Sequence, residues 1–232
     1  MSDPKLLMLF PTTVYAEVLD DHGYYDQLFL NNLDPYIFRN DNDVMTGEIL
    51  GKVSMHHDLN FSDFYSTLAI KVRNYLNLMG VKEELFDIYI TKTWLSVIDS
   101  DDYHMRVHSH TVSDISFVYY IQVPDDADVI SFKHPHESSN IFNWYMDSGV
   151  GNNGFTREFT PSNIRSFFVE PKEGLLLFFP GQLPHGTEAS PTASGPIKGR
   201  RLAVSGDINL HLKDGLLGYE SGRIASGHMR KF

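Results

Sequence analysis

Two histidines, His108 and His110, stand one residue apart just before a run of aromatic and β-branched residues. In an extended chain the side chains of residues i and i+2 point to the same side, so both imidazoles would face one way. Neutral imidazole is a common metal ligand, and the pair therefore predicts part of a metal site. The alternative is that both histidines are solvent-exposed surface residues and bind no metal.

A third histidine, His185, favours the metal site. It follows a Pro-Lys-Glu-Gly turn at 171–174, an apolar run at 175–179 and a second turn at Pro180-Gly181. A buried strand that ends in this way would deliver His185 to the mouth of a barrel as a third ligand. The chain has no cysteine, so any metal must be held by His, Asp or Glu.

Arg201 is a candidate for binding an anion. Arg201, Ala203 and Ser205 share one face of a predicted strand, and an arginine that faces inward costs free energy unless an anion meets it. The alternative for a lone arginine at the start of a strand is a guanidinium at the surface.

Short apolar runs separated by turn residues predict the elements that carry these side chains. We expect strands at 86–98, 116–123, 129–132, 175–179 and 202–208. Another is expected at 6–14, either on a sheet edge or followed by a turn. Strands that follow one another without helices between them predict an antiparallel sandwich or barrel. The spacing of apolar residues predicts one clear helix at 62–79, whereas 20–60 reads as turns and irregular connections. The polar segment 134–161 is predicted to be an insertion that acts as a lid.

Composition narrows the classes of function. The 232 residues fit one domain, and no apolar run approaches the length of a membrane span. A net charge of −11 repels phosphate backbones, so we expect neither a nucleic acid nor a membrane as partner. The first residues do not resemble a secretory signal, and we therefore expect a cytoplasmic location. The sequence does not indicate an oligomeric state.

In order and spacing these motifs resemble the non-haem iron(II), 2-oxoglutarate-dependent oxygenases, in particular the prolyl-hydroxylase-like oxygenases of bacteria and tailed phages. The resemblance covers about residues 85–210 and includes P-x-x-G-x-L-x-x-F-P at 171–180. It implies a mainly β fold with flanking N-terminal helices, the double-stranded β-helix or jelly roll. The expected single domain, 1–232, then has its core at about 85–210, N-terminal support at 1–84 and a peripheral tail at 211–232.

The resemblance also implies a reaction and roles for residues. The cofactor would be Fe(II), with 2-oxoglutarate and O₂ as co-substrates, and a C–H group of a peptidyl (for instance prolyl) or small-molecule substrate would be hydroxylated, with release of succinate and CO₂. His108 and His185 would bind iron, and Arg201 would bind the distal carboxylate of 2-oxoglutarate. Tyr120 and Ser205 are candidates for further hydrogen bonds to it, with simple barrel packing as the alternative. Two aromatic residues, Trp94 and Tyr103, are candidates for lining the pocket, with core packing as the alternative.

The third iron ligand departs from the family pattern, which is H-x-D or H-x-E. Here His110 stands at the acidic position, and Asp114 lies four residues further on. Strand alternation favours His110 as the ligand, and Asp114 is the alternative.

Two other classes of protein compete with an oxygenase. A cupin-type metal enzyme is also a jelly roll, and Gly174, Pro180 and His185 fit its pattern, but it would not use 2-oxoglutarate. A non-catalytic jelly-roll binding or structural protein would leave the histidines without a metal. Arg201 favours the oxygenase over the cupin.

Overall fold

A computed structural model describes residues 11–36, 45–46, 55–98, 104–135, 157–158, 160, 163–213 and 230–231. Within these ranges the chain forms two α-helices and ten β-strands, joined by turns and short 3₁₀ segments. The elements, in chain order, are β1 Tyr15–Val18, α1 His22–Leu30, β2 Met45–Thr46, α2 Ser62–Leu78, β3 Phe86–Ile98, β4 Ile115–Gln122, β5 Val129–Lys133, β6 Ser166–Val169, β7 Leu175–Pro180, β8 His185–Glu188, β9 Arg201–Leu212 and β10 Arg230–Lys231.

The strands form two antiparallel sheets. The major sheet has the order β1-β7-β4-β9-β3-β10, with β2 also paired to β3, and the minor sheet has the order β6-β5-β8. Residues from both sheets share one apolar cluster, which includes Val118 and Ala203 from the major sheet and Ile130 and Phe132 from the minor sheet. The prediction of an antiparallel sandwich or barrel is therefore confirmed, and the sheets are two.

Both helices pack against the outer face of the major sheet. The apolar side of α2 is fully buried there, and the structure confirms the helix predicted at 62–79. The irregular connection predicted over 20–60 is wrong for α1, which has only Tyr25 and Phe29 as buried apolar residues and thus a weak helical pattern. Tertiary contacts hold α1: the Tyr119 hydroxyl of β4 donates a hydrogen bond to Asp26 at 2.7 Å.

A β-bulge in β3 decides which side chains face the space between the sheets. Ile90 pairs with Ile208 and Lys92 pairs with Asp207, so Thr91 is an extra residue on β3. The bulge reverses the alternation of the strand. Ile90 before it and Leu95 after it both pack towards the helices, and Trp94 consequently faces the inner cavity.

Strand β9 alternates regularly from Arg201 to Asp207, and β4 alternates regularly from Ile115 to Tyr120, after which its register with β9 shifts. Phe117 of β4 and Val204 of β9 pack towards the helices, whereas Val118 and Ala203 pack between the sheets. Arg201, Ser205 and Asp207 are an even number of residues from Ala203, so their side chains lie on the same face of β9 between the sheets. All three side chains are buried. The inward face that the sequence predicted for Arg201, Ala203 and Ser205 is confirmed.

The predicted strand bounds agree with the structure to within a few residues, with β9 extending further, to Leu212. The strand predicted at 6–14 is not found at 11–14, because the first strand begins at Tyr15, and 6–10 lie outside the described residues. The predicted lid, 134–161, also lies almost entirely outside them. Near the chain end, β10 pairs with β3 at the sheet edge. The division into one domain with a core and a tail stays a prediction. None of the described helices has the length and apolar character that a membrane span requires.

Gly206 allows β9 to lie between β3 and β4. A Cβ atom at this position would lie 2.4 Å from Cε1 of Phe117 and 2.6 Å from the backbone oxygen of Lys92. We predict that Gly206→Ala lowers the free energy of unfolding by about 1–3 kcal/mol, the usual cost of overpacking a core. Urea unfolding measures this, with Gly195→Ala as control, since a Cβ there would meet nothing within 4 Å. Equal stability of the two variants would contradict the prediction.

Candidate metal centre

The three histidines singled out by the sequence lie together at one end of the cavity between the sheets. One ring nitrogen from each of His108, His110 and His185 lies within 4.8 Å of the other two. His185 is buried and the other two are partly exposed. The cavity is also lined by Arg201, which starts β9. Histidines and an arginine that are distant in sequence thus share one cavity.

The segment that carries His108 and His110 is extended, but it is not a regular strand. His108 and His185 form one isolated bridge, with two backbone hydrogen bonds of 2.9 Å. His110 is held separately, because its amide donates to the Gly181 oxygen at 2.7 Å. The predicted result, two imidazoles on one side, is therefore reached through contacts with the β7–β8 turn and β8 rather than through strand pairing.

Close backbone approaches bring this segment to its place. A Cβ atom at Gly181 would lie 2.4 Å from the Ser113 oxygen, and one at Gly186 would lie 2.6 Å from the Met105 oxygen. Glycine at both positions lets the 105–113 segment approach the β7–β8 turn and β8. The Pro-Gly turn that the sequence predicted as the route to His185 therefore also positions His110.

Hydrogen bonds fix the same tautomer in all three imidazoles. Nδ1 of His108 donates to the Arg106 backbone oxygen at 2.8 Å, and Nδ1 of His185 donates to the Leu183 backbone oxygen at 2.8 Å. Nδ1 of His110 donates to Asp207 Oδ1 at 2.6 Å. A carbonyl or carboxylate oxygen only accepts, so the proton lies on Nδ1 and each Nε2 presents a lone pair.

These lone pairs fit a divalent cation. Nε2 of His108 and Nε2 of His110 are 3.1 Å apart, and with both protons on Nδ1 no hydrogen bond can join them. Two ligands at right angles, each about 2.1 Å from a metal, are about 3 Å apart. The facing nitrogens therefore match neighbouring positions around one metal ion, and such an ion would remove the repulsion between them.

Burial keeps the ligands in the form that binds metal. It lowers the pKa of His108, and it lowers the pKa of His185 to about 4. The cause in both cases is loss of solvent around the charged imidazolium. Both rings are consequently neutral at pH 7, as metal binding requires.

Arg201 is a buried cation whose donors are only partly used. Its side chain is 3% exposed, its guanidinium lies 4.9 Å from the centre of the Tyr120 ring, and Nη2 donates to the Tyr120 hydroxyl at 3.2 Å. Nε and Nη1 have no hydrogen-bond acceptor in the part of the chain that the structure describes. Unpaired guanidinium donors at a cavity wall are the chemistry that binds a carboxylate.

Comparison with known proteins finds a matching family. Residues 92–204 match the family model described as "Putative 2OG-Fe(II) oxygenase", a span that contains all three histidines and Arg201. The match covers just under half of the chain. The protein is an oxygenase that uses Fe(II), 2-oxoglutarate and O₂, as the resemblance implied. No curated protein matches the sequence.

Several solved structures are similar to the chain. The oxygenase is similar to the epimerase SnoN in complex with Fe³⁺, α-ketoglutarate and nogalamycin RO, with 13% identity, a TM-score of 0.50 and coverage of 94% of this chain and 93% of SnoN. A prolyl-4-hydroxylase from Pseudomonas putida has 14% identity, a TM-score of 0.45 and coverage of 84% and 86%. HygX from Streptomyces hygroscopicus with nickel and 2-oxoglutarate bound has 13% identity and a TM-score of 0.47, with coverage of 85% of this chain and 82% of HygX. The predicted fold, a mainly β double-stranded β-helix with helices, is confirmed.

Asp114, the alternative third ligand, lies elsewhere in the oxygenase. Its carboxylate accepts a hydrogen bond from the Leu210 amide at 2.9 Å, and its own amide donates to the Ile208 oxygen at 3.1 Å. It thus joins the start of β4 to β9, and it is not part of the histidine cluster. The geometry favours His110 over Asp114, and the ligand set itself stays a prediction.

The remaining candidates of the oxygenase are placed as follows. Ser205 lines the cavity, and Tyr120 contacts the Arg201 guanidinium. Trp94 lines the cavity as expected, and its ring stacks on His110 with centroids 5.5 Å apart. Tyr103 lies outside the described residues.

Sequence reasoning missed Asp207, the hydrogen-bond partner of His110. The signal was available, because the inward alternation of Arg201, Ala203 and Ser205 on the predicted strand reaches Asp207 at the next step of two. A carboxylate that faces inward needs a partner, as an inward-facing arginine does, and therefore predicts a contact with another polar group.

The first prediction for the metal centre concerns its ligand set. Replacing His110 by Ala removes one of the three Nε2 atoms and should abolish retention of iron, whereas Asp114→Asn keeps an acceptor for the Leu210 amide and should retain it. Iron content after anaerobic loading with equimolar Fe(II) and desalting measures both. Iron-replete His110→Ala protein would contradict the assignment of His110, and loss of iron from Asp114→Asn would favour Asp114.

The second prediction follows from the buried state of His185. An unfolded chain binds a proton on imidazole below a pKa of about 6.5, whereas folded His185 does so only below about 4. The unfolded chain therefore binds more protons between these values, and stability is lost as the pH falls through this window. From pH 7.5 to 5, His185 should remove roughly 2 kcal/mol from the stability of metal-free protein.

Urea unfolding of chelator-treated protein at the two pH values measures this loss. His185→Gln cannot take up the proton, so its stability should fall less, by the amount due to His185. If wild-type protein and His185→Gln lost the same stability between the two pH values, the buried neutral state of His185 would be contradicted.

Proposed function

We propose that this oxygenase holds Fe(II) through Nε2 of His108, His110 and His185, and binds the distal carboxylate of 2-oxoglutarate at Arg201. The observation that carries the proposal is the shared cavity: three imidazoles with free lone pairs and a buried guanidinium with unpaired donors line the same space. A cation site and a carboxylate site in one cavity suit a ligand that chelates metal at one end and carries a carboxylate at the other.

The proposed reaction is hydroxylation of a C–H group. Bound Fe(II) supplies the redox chemistry, in which O₂ oxidises 2-oxoglutarate to succinate and CO₂ and one oxygen atom enters the substrate. The chain's own contribution is to position the reactants. The backbone and Asp207 orient the three imidazoles, Arg201 pairs with a carboxylate through two donors, and Val118, Ile130 and Phe179 give the cavity an apolar lining.

Tyr120 supports the arginine rather than the ligand in this proposal. Its hydroxyl accepts from Nη2 of Arg201, and its ring lies beside the guanidinium. Both contacts restrict the guanidinium before any ligand arrives, which lowers the ordering cost of binding. Ser205 lies between Arg201 and Asp207 on the inner face of β9, where its hydroxyl is available to the co-substrate.

The cupin alternative does not account for Arg201. A metal enzyme without 2-oxoglutarate has no use for a buried arginine with two nitrogens that find no acceptor among the described residues, because such a charge is costly without a partner. A non-catalytic jelly-roll protein accounts for neither the arginine nor the facing imidazoles. The family match also favours the oxygenase.

The substrate that is hydroxylated stays a prediction with two classes, a peptidyl residue such as proline or a small molecule. Turnover with a proline-rich peptide panel against a small-metabolite panel separates them. The cytoplasmic location and the absence of a nucleic-acid partner also stay predictions.

The proposed function is tested at Arg201. Anaerobic calorimetry with the Fe(II) protein should show 2-oxoglutarate binding in the wild type and a loss of about 2–5 kcal/mol of binding free energy in Arg201→Ala, the usual cost of removing one partner of a buried charge pair. Iron content should stay unchanged, and oxidation of 2-oxoglutarate to succinate under air should fall accordingly.

Arg200 provides the matched control, since it is the exposed neighbour and Arg200→Ala removes the same charge. That variant should bind 2-oxoglutarate as the wild type does. Unchanged affinity in Arg201→Ala would contradict the assigned role and revive the cupin alternative. If both variants lost the same 2-oxoglutarate affinity, the cause would be the change in net charge and not a specific contact with Arg201.

A further inference from the structure

Asp207 is a buried carboxylate whose contacts point to the metal centre. It lies on the inner face of β9, two residues after Ser205, and is 7% exposed. Its Oδ1 atom accepts two hydrogen bonds, from Nδ1 of His110 at 2.6 Å and from the Ser116 hydroxyl at 3.0 Å. Ser116 pairs with Asp207 across β4 and β9, so neighbouring strands fix the carboxylate.

Asp207 makes His110 different from the other two imidazoles. Nδ1 of His108 and Nδ1 of His185 each donate to a neutral backbone oxygen two residues earlier in the chain. Among these three imidazoles, His110 is the one whose Nδ1 donates to a carboxylate. His110 is also the residue at which the sequence departs from a carboxylate ligand.

We propose that Asp207 is a positioning residue which, acting through His110, supplies the metal centre with the negative charge that its three neutral ligands lack. The inference rests on the proposed function, because it takes His110 as an iron ligand. Asp207 does not touch the metal in this arrangement. It holds the His110 ring with Nε2 towards the other ligands and strengthens that nitrogen as a donor.

The physical argument is one of charge and distance. Three imidazoles bring no charge to a divalent cation. The carboxylate of Asp207, bonded to the far side of the His110 ring, places one negative charge close to it. A carboxylate that accepts the Nδ1 proton raises the basicity of Nε2, and such partners typically change metal affinity by about 10–100-fold. Ser116 and His110 together compensate the burial of Asp207, which would be costly without partners.

The test compares two variants that each remove one carboxylate charge from neighbouring parts of the same strand pair. Asp207→Asn removes the charge behind His110 while keeping an oxygen acceptor, whereas Asp114→Asn removes the charge that binds the Leu210 amide. Metal-free protein is titrated anaerobically with Co(II), read by calorimetry and by the visible ligand-field spectrum.

We expect Co(II) affinity to fall about 10–100-fold in Asp207→Asn, with a shifted spectrum, and to stay at the wild-type value in Asp114→Asn. Wild-type affinity and spectrum in Asp207→Asn would overturn the inference and leave the proposed function intact. Equal weakening in both variants would also overturn it. Absence of Co(II) binding by the wild type would overturn the inference and the proposed function together.

A double-mutant cycle separates action through His110 from a general structural role. In an H110D background there is no imidazole for Asp207 to hold, and the added substitution D207N should no longer weaken Co(II) binding. A loss in that background as large as in the wild-type background would overturn the inference.

A measurement on wild-type protein keeps the inference testable if Asp207→Asn does not fold. Long-range ¹H–¹⁵N NMR of ¹⁵N-histidine-labelled, metal-free protein at pH 7.5 reports the tautomer of each ring. The inference requires His110 to carry its proton on Nδ1, with a strongly deshielded proton that reflects the short bond to Asp207. A proton on Nε2 of His110 would overturn it.

Discussion

The candidate metal centre depends on one constraint, the placement of a hydrogen-bond acceptor behind each imidazole. Because Nδ1 of every ring donates to an oxygen, each Nε2 is left as a lone pair aimed into the cavity. Two of those oxygens belong to the backbone, so the backbone conformation at Arg106 and Leu183 helps to fix the ring orientations of His108 and His185. The third oxygen belongs to β9. The imidazoles are therefore oriented before any metal binds. The repulsion between the facing Nε2 lone pairs is the electrostatic cost of this orientation.

Strand β9 joins the two halves of the cavity. Its inward face carries Arg201 at one end and Asp207 near the other, with Ser205 between them. A positive and a negative side chain on one buried strand face could neutralise each other, but they are separated by three steps of the alternation and face different ligands. The strand thus holds a cation for the co-substrate's carboxylate and an anion behind the metal.

The sequence predicted much of this arrangement and missed identifiable parts. His108, His110, His185 and Arg201 were found because strand alternation and turn residues are local signals. Asp207 was not found, since its role depends on a contact with His110 across 97 positions of the chain. Helix α1 was missed because its few apolar residues form a weak pattern and its attachment to Tyr119 is tertiary. The two-sheet order likewise depends on long-range pairing that no local motif encodes.

The bulge at Thr91 has a consequence for how the gene can vary. The extra residue sets the parity of β3 after position 91, and Trp94 and its neighbours depend on that parity. Deleting one codon of β3 outside the bulge would move the side chains on one side of the deletion to the opposite face, exchanging cavity lining for helix-facing core. Removing two codons would preserve the faces and only shorten the strand. Length changes away from the bulge should therefore be tolerated in even numbers, whereas loss of Thr91 alone would remove the bulge and leave every other residue on its face, because Ile90 and Lys92 already pair with successive residues of β9.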